Sequence, residues 1–232
     1  QVKFTVRSIR VHHLIILLAN IAVGMGGWGL FMLAGNRELA EMAFFTGITP
    51  TATAAPVIVG LLGERVDYAV SAFLATNFGM AVLFPFLIPI AIGNPAPTVF
   101  ADVIGSLCIV VGIPVALAVP LRKLYPGATE LPKRCKNLSF FTWVAAIFLI
   151  IANASQFLRE QQANLPPGIL WKIAVVSLLI CIVNFAGGRM IGGKKFFRES
   201  SQVLGQKNTT LTIFLAITYA NPLIALGPTF YV

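Results

Sequence analysis

Charge is scarce in this sequence. Only 8 of the 232 residues are acidic, and charged residues of both signs make up 11%. That is less than half the share of an ordinary soluble domain. Histidine is nearly missing too: His12 and His13 are the two in the chain. They are neighbours, and neighbours on a helix do not face the same way. They therefore read as polar residues at a membrane boundary rather than as a metal pair. Cysteine gives no framework either. Cys108 and Cys181 lie in apolar runs, Cys135 lies in a basic loop, and no Cys-x-x-Cys or Cys/His spacing suggests a metal. There is no Gly-x-Ser-x-Gly and no paired Asp. An intramembrane enzyme needs a nucleophile and a base, or a carboxylate pair, at depth. The chain is read as not an enzyme.

What is present is apolar. Hydrophobic residues make up 57% of the chain, and the mean hydropathy is +0.86. This composition makes it an integral membrane protein. The net charge of +9 would suit nucleic acid only if it formed one patch. Instead the basic residues fall in short loops between apolar runs, so no nucleic-acid partner is expected. The chain begins with Gln1 and ends in an apolar stretch, 221–232, too short to span. It reads as a fragment that lacks an N-terminal part and is cut inside its last helix.

Seven spans are expected, at 13–34, 36–63, 68–92, 99–121, 139–158, 169–188 and 196–219, followed by a turn at Asn221-Pro222. The first is rich in glycine (Gly24, Gly26, Gly27 and Gly29), which permits close helix approach in a bilayer. The second opens on Asn36, a fair N-cap, with Glu38 in the first turn. It is interrupted by Thr46-Gly47-Ile48-Thr49-Pro50-Thr51-Ala52-Thr53. Pro50 lacks a donor and pushes Thr49 away from the helical conformation. Either a kink or a true break answers to that pattern. The third carries Asn77, Pro85 and Pro89, and the fourth carries Asp102 and Pro114. The seventh is interrupted by Gly205-Gln206-Lys207-Asn208-Thr209-Thr210. Lysine and paired amides at that depth are costly, so the stretch reads as a broken helix lining a site.

With these spans every second loop falls on one side. Lys3, Arg7, Arg10, Arg65, Arg122, Lys123, Lys133, Arg134, Lys136, Arg189, Lys194, Lys195 and Arg198 share it, thirteen of seventeen basic residues. Arg37 and Arg159 lie opposite, and Lys172 snorkels at a span end. The asymmetry marks the first side as cytoplasmic. Only Lys207 is left at depth.

The two interrupted spans correspond. At an offset of 158, Gly35 matches Gly193, Glu41 matches Glu199, Gly47 matches Gly205 and Thr51 matches Thr209. They are the second and seventh spans, so they cross in opposite directions. Broken helices at corresponding positions of inverted repeats point to a secondary-transporter site. The expected fold class is an all-α polytopic membrane protein, an inverted-repeat transporter with two discontinuous crossing helices. Residues 13–92 and 169–232 form the core helices of the two repeats, and 99–158 form the panel helices, all in one transmembrane domain over 1–232.

These motifs resemble the bile acid:sodium symporter family, in a bacterial-type member. Gly47-Ile48-Thr49-Pro50-Thr51-Ala52-Thr53-Ala54-Ala55 is similar to the family's first crossing motif, and Val203-Leu204-Gly205-Gln206-Lys207-Asn208 to its second. The resemblance implies ten helices, of which this chain would hold the third to part of the tenth. It also implies sodium sites built on a Ser-Asn pair and on a Glu and a Gln of the second motif. Those positions hold Ala54-Ala55, Val203 and Lys207 here. The sodium ligands are thus expected to be lost and no cofactor is expected. The Lys207 ammonium either takes the place of the cation and ties the crossing helices together, or pairs simply with their carbonyl ends. In the first case transport is sodium-independent, or coupled to protons where Lys207 titrates. Ser71 and Thr76 lie near further sodium-ligand hydroxyls of the family but read as ordinary helix back-bonds.

The expected function is secondary active transport of a small organic anion by alternating access, with the bilayer as the other partner. Bile acids, steroid conjugates and keto acids are the substrates that the resemblance implies. Thr49, Pro50, Thr51, Thr53, Gln206, Asn208 and Thr209 are expected to line the site, with Lys207 as a cation surrogate. The expected location is a bacterial inner (plasma) membrane; the oligomeric state is left open. A channel or a non-transporting scaffold, and an intramembrane enzyme, are the competing readings.

Overall fold

A computed structural model of the chain describes residues 11–125, 127, 135–160 and 167–231. The N-terminal basic residues Lys3, Arg7 and Arg10 lie outside this range, as do Lys133 and Arg134 of the long basic connection. Among the described residues every regular element is helical. In chain order they are α1 (Val11–Leu33), α2 (Arg37–Gly47), α3 (Ala54–Leu61), α4 (Val66–Ala91), α5 (Pro97–Leu107) and α6 (Ile113–Leu124). Then come α7 (Lys136–Glu160), α8 (Ile169–Gly205), α9 (Thr209–Tyr219) and α10 (Pro222–Tyr231). Three of them, α1, α4 and α8, are long and apolar enough to cross a membrane. The protein is an all-α integral membrane protein.

Exposure follows from that solvent. On α4, Phe78, Val82, Phe86 and Ile90 recur every fourth residue, and all are exposed. In water such a stripe would need a partner; in a bilayer it is the lipid face. The opposite side of α4 buries Ala69, Ala72, Thr76, Met80, Phe84 and Ile88. The interior is centred on α2, of which every residue from Leu39 to Gly47 is buried. Packed around it are α1, α8, α9 and α10. Gly24 of α1 and Gly47 of α2 lie so close that a Cβ on Gly47 would come within 2.9 Å of the Gly24 backbone.

Both interrupted spans are true breaks. The first halts at Gly47 and resumes at Ala54, and the second halts at Gly205 and resumes at Thr209. The simple kink that Pro50 alone permits is thereby excluded. Each broken helix is also entered through a glycine in a left-handed region, Gly35 at φ 71° and Gly193 at φ 55°. That conformation is open to glycine and strained for other residues. Gly193 folds α8 back on itself, so that residues 197–205 lie beside the end of the limb 169–192. The N-cap read at Asn36 is in place, its Oδ1 accepting from Leu39 N at 3.0 Å.

The expected span 99–121 is not one regular helix. A π turn, Cys108–Gly112, separates α5 from α6. Pro114 offers no N–H and its ring crowds the carbonyl four residues back, so the helix widens just ahead of it. At one end of the molecule Arg37 bonds Glu41 at 2.7 Å and reaches the carbonyl of Ile92. At the end marked by the basic loops Arg198 meets Glu64 at 2.5 Å. Both ties are solvent-exposed on the arginine side, where ion pairs contribute about 0–1 kcal/mol.

Candidate functional site

Where the two breaks meet, the chain forms a two-residue antiparallel bridge between Thr51 and Lys207. Ala52 N donates to Gln206 O at 2.8 Å, and Asn208 N donates to Pro50 O at 2.7 Å. These two bonds exchange under a twofold operation that maps the first break on the second. They satisfy backbone groups that membrane depth would otherwise leave unpaired. The bridge also corrects the repeat register. The offset of 158 holds at Gly35/Gly193 and Gly47/Gly205, but Thr51 stands opposite Lys207, two residues short of Thr209. The first break is longer than the second, six residues between helices against three, and the offset cannot survive that difference.

Threonines hold the first break in place. The Thr51 hydroxyl donates to Val203 O at 2.8 Å and accepts from Thr76 at 2.9 Å. Asn77 donates to Thr51 O at 2.9 Å. Thr49 turns its hydroxyl back on Phe45 O at 2.7 Å and meets Thr212 at 3.0 Å. Ser71 makes the expected back-bond, to Asp67 O at 2.8 Å. Thr76 does more than that: its back-bond to Phe73 O is 3.2 Å, and its shorter contact crosses to Thr51.

Lys207 is buried, 7% exposed. Its Nζ donates to Oδ1 of Asn20 on α1 and, at 3.2 Å, to the carbonyl of Gly47, the last residue of α2. A helix C-terminus carries about half a negative charge on its free carbonyls. The ammonium thus joins three pieces of chain: α1, the end of α2, and the second break.

Two cavities flank this point. One of about 570 Å³ is lined by Ala52, Thr53, Ala54, Cys181, Phe185 and the stretch Gly205 to Thr210, with Tyr231. The other, of about 540 Å³, is mostly aromatic and aliphatic, with Phe73, Phe78, Pro114, Leu211 and Phe214. Asn208 and Thr210 line both. Of the residues expected at the site, Thr53, Gln206, Lys207, Asn208 and Thr209 line the first cavity. Thr49, Pro50 and Thr51 line neither cavity and lie behind them, with both threonine hydroxyls engaged with other protein groups. Thr209 opens α9, so the donors of a helix N-terminus lie at the cavity wall, an arrangement that suits anions.

Asn20, Asn184 and Tyr231 carry no local motif and escape a reading of the sequence. Asn20 and Asn184 are single amides inside apolar runs. Such residues are costly at depth, and that cost is the signal that marks them. Among the described residues no three His, Cys, Asp or Glu side chains come together.

The chain matches none of the curated proteins with which it was compared. A model of the Sodium Bile acid symporter family matches residues 12–162, more than half of the chain and including the first crossing. On that match, and with two discontinuous helices crossing in one membrane-embedded bundle, the chain belongs to the Sodium Bile acid symporter family.

Proposed function

We propose that this chain carries a small organic anion across the membrane by alternating access, with the Lys207 ammonium standing where a sodium ion would hold the crossing together. The observation that carries the reading is the place of that ammonium, buried on the carbonyl end of α2 and against Asn20. A sodium ion at this point would need several oxygen ligands, preferably with a carboxylate among them. Ala54, Ala55 and Val203 offer no side-chain oxygen, and the Gly47 carbonyl is already taken. The residues present do not suit the ion, and no step of the cycle is routed through it.

The acidic group of a carboxylate or steroid conjugate fits the cavity bounded by Lys207, Asn208 and the start of α9. The apolar cavity across Asn208 and Thr210 takes its hydrocarbon body. Bile acids, steroid conjugates and keto acids are the compounds to try. The crossing helices stay fixed by the bridge, Thr51 and Lys207, while helices α5, α6 and α7 rock against them and open one side at a time. The membrane is a bacterial inner (plasma) membrane, with the basic loops in the cytoplasm.

Uptake into proteoliposomes tests this directly. A labelled bile acid, a labelled steroid sulfate and a labelled keto acid would be offered in sodium-free buffer and in sodium buffer. One of them is expected to be taken up at equal rates in both and not by Lys207→Gln. Strict sodium dependence would sink the reading.

A further inference from the structure

The crossing has two helix C-termini, and Lys207 accounts for one. The other is the end of α8 at Gly205, the repeat counterpart of Gly47. Its carbonyl accepts from the Tyr231 hydroxyl at 2.7 Å. Tyr231 comes from α10 and is 9% exposed. Its oxygen accepts in turn from Nδ2 of Asn184 at 3.3 Å, and Asn184 is wholly buried. The Oδ1 of Asn184 is buried without a hydrogen-bond partner among the described residues. The last carbonyl of each helix therefore takes a side-chain donor from a distant part of the chain: an ammonium on Gly47, a phenol on Gly205. Both ends are partly negative, and each draws a cation or a donor.

We propose that Tyr231 and Asn184 form a positioning pair that closes the α8 end to metal cations, as Lys207 closes the α2 end. The proposal rests on the reading of Lys207 given above. The phenol fills the space in front of the Gly205 carbonyl and spends its one proton there. Asn184 fixes the phenol oxygen, leaving the lone pairs of its own Oδ1 unused. Without the hydroxyl, the Gly205 carbonyl loses its donor and Asn184 Nδ2 loses the acceptor that fixes the amide, so a half-turn of that amide can bring its partnerless Oδ1 toward the same gap. The gap lies beside a cavity that Gly205 and Tyr231 line and that admits water. Hard oxygen ligands completed by water are what a small monovalent cation takes.

Melting temperature is the readout, because it needs no substrate. The full chain would be purified in detergent and melted in NaCl, KCl and choline chloride at equal ionic strength. The wild type is expected to melt at one temperature in all three. Tyr231→Phe is expected to melt lower in KCl and choline chloride and to rise by about 2–4 °C or more in NaCl alone. A loss of packing would lower all three salts together, so the sodium-specific rise separates the proposed role from a structural one. Asn184→Asp is the second variant. Its carboxylate draws the Tyr231 proton away from Gly205 and adds an anionic oxygen, and the same sodium-specific rise is expected. A silent wild type with either folded variant also silent overturns this inference alone. A wild type that already rises in NaCl overturns the reading of Lys207, and this inference with it.

Discussion

Lys207 Nζ lies 3.2 Å from the carbonyl oxygen of Gly47, across 160 residues of sequence. Gly47 ends α2, and Lys207 sits in the middle of the second break. One side chain therefore spans the two discontinuous helices, beside the backbone bridge that joins them, and ends on the carbonyl terminus of one. A charge in such a place is worth up to about 2 kcal/mol. A shorter side chain from the same position would leave the carbonyl uncovered.

Replacing Lys207 by Met keeps the unbranched stem as far as Cε and removes the ammonium. The Gly47 carbonyl and Asn20 Oδ1 then lose their shared donor in a buried place. A buried acceptor left unsatisfied costs about 1–3 kcal/mol. For a chain of this size the melting temperature is expected to fall by roughly 2–4 °C per kcal/mol. Equal melting of Lys207→Met and wild type in detergent would show that the ammonium contributes nothing to the crossing.

Asn20 holds Lys207 from the α1 side, and its Nδ2 is buried with no hydrogen-bond partner among the described residues. Asn20→Leu is expected to destabilise by about 1–3 kcal/mol, because it leaves the ammonium with Gly47 alone. The double variant Asn20→Leu with Lys207→Met is expected to be more stable than the sum of the single changes, since both partners go together. Thermal unfolding of the four proteins closes the cycle. Strict additivity would mean that the two residues act independently.

Much of the crossing is legible in the order of residues alone. Pro50 between threonines, and Lys207 between amides, each conflict with an uninterrupted helix, and both conflicts mark true breaks. Gly35 and Gly193 correspond in the sequence and share positive φ in the fold. What fails is the register beyond Gly47, where a constant offset pairs Thr51 with Thr209. The fold places Thr51 opposite Lys207, because the breaks differ in length and spacing carries no record of which residues face each other. Thr76 shows the same limit. A helix back-bond is a local property that sequence can suggest. Its contact with Thr51 joins two helices and depends on packing. Asn20 and Tyr231 reach the crossing from α1 and α10 across 187 and 26 residues, and no pattern in either neighbourhood announces the contact.

Glycines of α1 differ sharply in what they allow. A Cβ on Gly24 would come within 2.7 Å of the Ile48 Cβ and 2.8 Å of its backbone nitrogen. Backbone at a helix end cannot yield, so Gly24→Ala is expected to destabilise by about 1–3 kcal/mol. Gly26 and Gly29 have nothing within 4 Å, and alanine there is expected to be neutral or to stabilise slightly. Thermal melting of the three variants under one condition makes the comparison. A Gly24→Ala protein as stable as Gly26→Ala would contradict the close approach of α1 to the first break.

Cys181 offers a way to ask whether the cavity beside Lys207 is the one a substrate enters. Its thiol is half-buried in α8 and lines that cavity together with Phe185, Lys207 and Tyr231. Cys108 and Cys135 are exposed elsewhere, so changing both to serine leaves a single reporter. A negatively charged methanethiosulfonate is drawn by the same positive charge as an organic anion and is expected to react with Cys181. The bulk it leaves fills the cavity, so transport is expected to stop. A carried anion at ten times its dissociation constant should slow the reaction about tenfold, because it occupies the same space. The rate of labelling, followed by intact mass with and without the anion, is the measurement. Labelling that proceeds at one rate in both conditions, while transport continues, would move the substrate out of this cavity and into the apolar one across Asn208.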